Sequence, residues 1–304
     1  HNHQGFWCND PYALESLRKF SEKRYGSIKK LNTVWGTTFT AFNQVDFPGT
    51  GDQLAEFVKR AKSGDPKSAR RYLDFVDWYR QSMTDWADWW MQTTRKYFPN
   101  EQIYLCTGGD ATPEHGSQFA EQSRVAAKNK AGIRITNEAS DYAFNFCLTR
   151  WVASACRHYK TYFGFEPAGS VDEYGLRNRI YNASSSGASQ LFEYSPNVLQ
   201  SSPRAQVIID NRKFISHSSD VQIDVAMWYA DESRTLGAWG YPQFEREQKL
   251  RDMVDYDFLD ETMLRTGALD KYSVLIILGG SIMESKDAKT ILKWVKHGGK
   301  LIVM

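Results

Sequence analysis

The sequence predicts an α/β protein with two parallel sheets. The first belongs to the C-terminal part of a (β/α)8 TIM barrel, residues 1–220, and the second to a partial α/β domain, residues 221–304. From residue 101, short apolar strands alternate with helical segments in units of about 25 to 30 residues. A second alternation of this kind begins near residue 220. Because neighbouring parallel strands need a crossover helix, the alternation favours parallel sheets in both parts.

Each of the four strands in the first part is followed by a polar or acidic corner. The strands are predicted over 103–106, 132–136, 162–165 and 189–192, and the helices over 117–131, 141–158, 172–183 and 204–216. The corners carry Asp110, Asn137 with Glu138, Glu166, and Glu193. Since the carboxyl ends of barrel strands form one rim, where barrel enzymes place their chemistry, these residues are candidate site residues.

Two helices are predicted ahead of the first strand. Residues 11–25 have apolar side chains at helical spacing, with Asp10 as N-cap and Pro11 in the first turn. A longer helix is predicted over 66–97. Its aromatic and methionine stripe is expected to face the core, and comprises Tyr72, Phe75, Tyr79, Met83, Trp86 and Trp90.

The second part is predicted to follow a linker at 217–220. Its strands are expected over 221–228, 272–278 and 300–304, and its helices over 243–254 and 286–296. The pair Gly279-Gly280 after a strand resembles an amidotransferase elbow, but no cysteine occurs between residues 157 and 304 to act as its nucleophile. No phosphate-binding glycine motif is present either, so we expect no cofactor and assign this part to scaffolding or subunit contact.

The composition argues against several classes of partner. A net charge of +2 gives no long-range field for nucleic acid, and no apolar run has the length of a membrane span. Four cysteines without a CxxC pair predict neither a zinc site nor a disulfide framework. We expect both ends to be cut, since the chain opens without Met or signal peptide and closes on an apolar strand, so the compartment is not predicted.

Glycoside hydrolysis needs two carboxyl groups, about 5 to 5.5 Å apart for retention of the anomeric configuration and about 6.5 to 9.5 Å for inversion. Among the candidate acids, Glu166 stands out because Phe163, Phe165 and Pro167 surround it with apolar bulk. Such a setting tunes the basicity of a carboxylate. The alternative is a structural acid paired with a buried arginine, either Arg134 or Arg150.

The run YGSIKKLNTVWGTTF, residues 25–39, resembles a signature of the family 42 glycoside hydrolases, the β-galactosidase-type members of the barrel clan. Leu73-Asp74-Phe75 is similar as well. Segments 269–278 and 294–301 resemble the flavodoxin-like, amidotransferase-like trimerisation domain of that family. The resemblance implies a retaining enzyme for β-linked glycosides, a trimer, and Glu166 as the nucleophile that closes strand seven.

The resemblance also implies an acid/base Glu a few residues upstream of His1. Glu138 is not placed in that role, because the 28 residues between it and Glu166 leave room for one βα unit, whereas three are needed. It is assigned to strand six, where it would bind the sugar or tune the nucleophile. The cysteine cluster that binds zinc in the family is reduced here to Cys8, so no metal is predicted.

The other strand-end residues, Asp110, Asn137 and Glu193, are predicted to contact the substrate. His115 is a further candidate for a hydroxyl contact, and Trp35 either lines the rim or pins the loop after the first helix. The rival functions are a catalytically inactive, carbohydrate-binding barrel and a structural subunit without sugar affinity. Five or fewer βα units leave an open sheet edge, so these residues alone are expected not to hydrolyse a glycoside.

Overall fold

Four helices precede the first strand: α1 (Pro11–Tyr25), α2 (Ile28–Trp35), α3 (Gly51–Lys62) and α4 (Pro66–Tyr97). The structure is a computed structural model that describes residues 5–108, 111–137, 140–167, 171–191, 202–214 and 221–304, with only the backbone at 136, 137, 166, 167, 191 and 214. The bounds predicted for α1 and α4 are confirmed. Both helices begin at an aspartate N-cap followed by proline, Asp10 for α1 and Asp65 for α4.

The family-like run at residues 25–39 forms the end of α1, the whole of α2 and the turn beyond it. Ser27 caps α2, and Gly36 ends it with φ of +70°, a left-handed conformation that favours glycine. The side chain of Asn32 then binds both the amide and the carbonyl of Phe39, at 3.1 and 2.7 Å, which folds the following turn back onto the helix. The run is therefore a local folding unit.

Asp74 of α4 is the buried acceptor on which this unit converges. Its side chain is fully buried. It accepts one hydrogen bond from the indole nitrogen of Trp35, at 2.7 Å, and another from the hydroxyl of Tyr25. Two guanidinium groups complete the set, with Arg70 Nε at 2.9 Å and Arg24 Nε at 3.1 Å from Asp74 Oδ1. One carboxylate thus joins α1, α2 and α4.

The first sheet contains β1 (Tyr104–Gly108), β2 (Gly132–Asn137), β3 (Phe163–Pro167) and β4 (Gln190–Leu191), all parallel and in chain order. Its helices are α5 (Phe119–Lys128), α6 (Tyr142–Tyr159), α7 (Glu173–Ser185) and α8 (Pro203–Asn211). This is the strand order of a (β/α)8 barrel, so the predicted fold class is confirmed.

The second sheet has β5 (Val225–Trp228), β6 (Asp257–Leu259), β7 (Val274–Ile277) and β8 (Lys300–Val303), parallel in the order β6-β5-β7-β8. The helices are α9 (Asp231–Thr235), α10 (Tyr241–Leu250), α11 (Glu261–Arg265) and α12 (Ser285–Lys296). The order, with strands added on both sides of β5, is that of a doubly wound domain. The predicted linker at 217–220 and the end of the predicted helix 204–216 lie outside the described residues.

Helix α6 joins the two sheets into one core. Trp151 stacks on Tyr229 of the second part with ring centroids 3.9 Å apart, and its indole nitrogen donates to Asp260 at 2.9 Å. Ser154 accepts the backbone amide of Phe258 at 3.0 Å. Buried apolar side chains beside both sheets therefore belong to one continuous cluster. Within the described residues, no helix is both long and apolar enough to cross a membrane.

Replacing Asp74 with Ala is expected to lower the free energy of unfolding by about 3 to 5 kcal/mol, because its donors then lose a shared buried acceptor. Urea unfolding followed by circular dichroism measures the change. The matched control is Glu15→Gln, which removes a carboxylate from an exposed pair with Lys19 and should have no measurable effect. Equal stability of the two variants would contradict the role assigned to Asp74.

Glu247 of α10 is fully buried, and neither carboxylate oxygen has a hydrogen-bond partner among the described residues. Burial raises the pKa of Glu247 well above its usual value, so the group is protonated in the folded protein. The unfolded chain ionises this residue above about pH 4.3. Ionisation of the unfolded state alone favours unfolding, so the stability present at low pH is lost as the pH rises.

Glu247→Gln should therefore gain stability relative to the unmodified protein as the pH rises from 5 to 8, by up to about 1.4 kcal/mol per pH unit. The measurement is urea unfolding of both proteins at each pH. Glu245→Gln, which removes an exposed carboxyl group from the same helix, is the matched control. A flat difference for Glu247→Gln would mean that this carboxylate is already ionised in the folded state.

Candidate active site

The inner face of the first sheet is built in layers by the register of β1, β2 and β3. The lowest layer places Tyr104 level with Gly132, and the rings of Tyr104 and Tyr162 meet edge to face at 5.0 Å. The next layer aligns Cys106, Arg134 and Gly164, and the top layer aligns Gly108 with residues 136 and 166. Such layers are how a barrel interior is filled.

The outer face carries the apolar half of the strand pattern. Ile133 and Ile135 of β2 and Phe163 and Phe165 of β3 are buried, and they lie level with one another across the two strands. Because successive residues of a strand alternate between faces, positions 164 and 166 belong to the inner face. The backbone register therefore places position 166 at the carboxyl end of a strand that pairs on both sides.

Only some of the other predicted site residues lie within the described part of the chain. Asn137 ends β2, level with Pro167 of β3, one position beyond the layer that contains Glu166. Asp110, Glu138 and Glu193 lie outside the described residues. Arg150, one of the two arginines considered as partners of Glu166, lies 3.0 Å from Asp255 in the second part of the chain.

His115 lies at the carboxyl end of β1, in a short 3-10 turn over Pro113–His115. It lines a cavity of 260 Å³ together with Trp86 of α4 and Cys106 and Gly108 of β1. Its predicted contact with a substrate hydroxyl stays a prediction. Its proximity to Trp86 was not predicted, because α4 was expected to bury that side chain.

Trp86 and Trp90 correct the prediction that the whole stripe of α4 faces the core. Tyr72, Phe75 and Tyr79 are buried as expected, whereas Trp86 is 56% exposed and Trp90 is 51% exposed. The two indoles stack on each other with centroids 5.8 Å apart and planes 8° from parallel. Periodicity identified the helix correctly, but it cannot show where the neighbouring layer ends.

Trp35 lies in the buried cluster of α1, α2 and α4. The side chain is 5% exposed, and its only polar group donates to Asp74 within the buried cluster. Of the two interpretations considered for Trp35, the contacts favour the structural one, in which it pins the turn after α2. It is accordingly removed from the substrate-binding residues.

A groove of 670 Å³ runs beside the amino-terminal segment and was not predicted from the sequence. Phe6, Phe47 and Phe75 form its apolar wall, and Cys8 and Glu114 line it as well. Burial and the nearby Asp10 raise the pKa of the Cys8 thiol to about 11, so this thiol is protonated at neutral pH. The groove brings together segments near residues 5–9, 47–58, 75 and 114, so sequence spacing gave no signal for it.

One group of acids within the described residues has the spacing of a metal site. Carboxylate oxygens of Glu232, Glu284 and Asp287 all lie within 4.8 Å of one another. The guanidinium of Arg265 lies among them, 2.6 Å from Glu232 and 2.5 Å from Asp287. These carboxylates already have a cationic partner and are accounted for as an ion-pair network.

The sheet order, the layered inner face and the second doubly wound sheet define part of a (β/α)8 barrel with an added α/β unit. Residues 2–134 match the model of glycosyl hydrolase family 14. A thermophilic beta-amylase from Thermoanaerobacterium thermosulfurigenes is 28% identical over 78 residues, which cover 26% of this chain and 13% of the relative.

Two solved structures share the fold. One is an exo-carrageenase of family GH42 from Bacteroides ovatus, in its apo form. The match covers 97% of this chain and 46% of the carrageenase chain, with a TM-score of 0.70 and 16% identity. The other is the catalytic domain of a beta-amylase from Paenibacillus polymyxa. The match covers 71% of this chain and 56% of the beta-amylase chain, with a TM-score of 0.54 and 18% identity. The chain thus spans about half the length of these structures, and membership of family 42 stays a prediction.

Gly132→Ala is expected to destabilise the protein by about 1 to 3 kcal/mol through overpacking of the lowest inner layer. A Cβ atom at residue 132 would lie 2.2 Å from the ring of Tyr162 and 2.8 Å from that of Tyr104. Thermal and urea unfolding measure the loss. The control is Gly240→Ala, where a Cβ meets nothing within 4 Å; a neutral Gly132→Ala would contradict the ring packing described for this layer.

Proposed function

We propose that this chain is the part of a retaining glycoside hydrolase that carries the nucleophile, Glu166, and that the enzyme acts on a β-linked glycoside. The observation that supports this most is the strand register, which aligns residue 166 with Gly108 and residue 136 at the carboxyl ends of three adjacent strands. Barrel enzymes form their sites at these ends. The match of residues 2–134 to a glycosyl hydrolase family supports the same reaction class.

In the proposed reaction the Glu166 carboxylate attacks the anomeric carbon as the bond to the leaving group breaks. The leaving oxygen takes a proton from an acid/base carboxyl group, and a covalent glycosyl-enzyme forms. Water, deprotonated by the same acid/base group, then attacks the anomeric carbon and releases Glu166. The family 42 resemblance places the acid/base Glu upstream of residue 1, so we propose that residues 1–304 alone do not hydrolyse the substrate.

Polar groups around Glu166 are proposed to hold the sugar. These are Asp110, Asn137, Glu138 and Glu193 at strand ends, together with His115. His115 is the member with a described environment, because it lines the 260 Å³ cavity next to the exposed ring of Trp86. An exposed indole beside a histidine offers one apolar face and one hydrogen-bonding group, which suits the two faces of a pyranose.

The proposed substrate is a β-galactoside, on the basis of the family 42 resemblance. The fold neighbour named as an exo-carrageenase and the relatives named as beta-amylases make a carrageenan oligosaccharide and a starch oligosaccharide the two polymers to compare with it. The resemblance also implies a trimer, which sedimentation of the complete protein can check.

Glu166→Gln in the complete protein should reduce hydrolysis of an aryl β-galactoside by about a thousandfold or more, since Gln keeps the shape but cannot form the ester intermediate. Glu173→Gln, an exposed acid in the first turn of α7, is the matched control and should retain full activity. Proton NMR of the first product should show the retained β-anomer.

A second readout separates the role of the residue from the reaction class. Mass spectrometry of the enzyme treated with a slow, activated 2-fluoroglycoside should find the sugar attached to the peptide that contains Glu166. Undiminished turnover by Glu166→Gln would overturn its assignment as nucleophile. An inverted product would overturn the retaining mechanism while leaving a glycoside hydrolase.

A further inference from the structure

A cleft of 390 Å³ lies between α4 and the second sheet, away from the inner face of the first sheet. From the first part of the chain, Arg80 and Thr84 of α4 and Gln118 before α5 line it. From the second part, Asp231 follows β5 and Glu261 follows β6, so the cleft is at the carboxyl ends of those two strands. Both parts of the chain are needed to form it.

Each arginine of the lining is paired with a carboxylate of the lining. Arg80 lies 2.8 Å from Asp231, Arg124 lies 2.7 Å from Glu121, and Arg265 lies 2.6 Å from Glu232. A fourth pair, Arg24 with Asp77 at 2.8 Å, lines the cleft near α1. An anion would therefore have to displace a carboxylate from an arginine. Neutral hydroxyl groups, which both donate and accept, can add to such pairs without separating them.

Three buried polar atoms of the lining residues have no hydrogen-bond partner among the described residues. They are the hydroxyl of Thr84, the Nε of Arg80 and one carboxylate oxygen of Glu232. Thr84 is 3% exposed and Arg80 is 6% exposed. Because buried polar groups are almost always hydrogen-bonded, one hydroxyl, one N–H donor and one oxygen acceptor left open around a single cleft indicate a polar occupant.

The position of the cleft in the second sheet supports the same conclusion. Strand β6 pairs with one edge of β5, and β7 pairs with the other. The direction in which the chain crosses the sheet therefore reverses at β5. Open α/β sheets bind their ligands outside the carboxyl ends of the strands at such a switch point. Here that crevice is covered by α4, which supplies Arg80 and Thr84.

We propose that this cleft binds a neutral, polyhydroxylated ligand of about monosaccharide size, at a site separate from the barrel. Its volume lies within the range of about 300 to 1,000 Å³ that small-molecule pockets have. Phe20 and Leu73 line it as well and offer apolar contact to the C–H face of a sugar ring. The proposal does not depend on the activity assigned to Glu166.

The test is isothermal titration of the complete chain with galactose, glucose and myo-inositol, and in parallel with inorganic phosphate and with Mg²⁺. At least one of the three polyols should bind saturably, and phosphate and Mg²⁺ should not. Thr84→Val, which removes the hydroxyl but keeps the shape, should weaken polyol binding roughly threefold to tenfold. Thr93→Val is the matched control, because that hydroxyl bonds the carbonyl of Trp89 on an exposed part of α4 and should leave binding unchanged.

Two further variants keep the outcome interpretable. Gln81→Ala changes an exposed residue of the lining, so the variant should fold, and it should also weaken binding. Glu166→Gln should leave binding unchanged. The absence of saturable binding by any of the three polyols would mean that the cleft holds water only and would overturn the proposal. It would equally be overturned by polyol binding insensitive to both Thr84→Val and Gln81→Ala, or by saturable binding of phosphate or Mg²⁺ in the cleft.

Discussion

The burial of Asp74 is the constraint on which the amino-terminal half of the structure depends. A fully buried carboxylate is stable only with several donors, and here Tyr25, Trp35, Arg24 and Arg70 supply them from α1, α2 and α4. Tyr25, Trp35 and Asp74 all belong to the segments that resemble family 42 in the sequence. The most recognisable motif of the chain therefore specifies the packing of three helices, and its residues are structural ones.

The same ion-pair network continues into the second sheet. Arg70 contacts both Asp74 and Glu284, the residue that precedes α12, and Arg80 pairs with Asp231 after β5. In addition, α6 packs Trp151 against Tyr229. The two parts of the chain are thus joined both by ion pairs and by aromatic packing, and a change in their relative position would break buried contacts of both kinds.

The sequence was sufficient for elements whose ends and faces are encoded locally. Asp10-Pro11 and Asp65-Pro66 mark helix starts, and apolar strands followed by polar corners mark the sheet. It was insufficient where partners are distant: β6 has only three residues, and its buried Asp257 is compensated by Arg157, 100 residues earlier. For the candidate site, the assignment of Glu166, Asn137 and His115 to strand ends stays a prediction. Trp35 was ambiguous, because only the contact with Asp74 reveals that it is buried.

The four cysteines differ sharply in their access to solvent, which gives the inner face of the sheet a natural reporter. Cys147 and Cys156 are buried and Cys8 is half-buried, whereas Cys106, in the middle layer of the inner face, is exposed. The rate at which a maleimide alkylates Cys106 consequently measures how far the interior of the barrel is filled, and a bound saccharide or an additional strand against β1 would slow that single reaction.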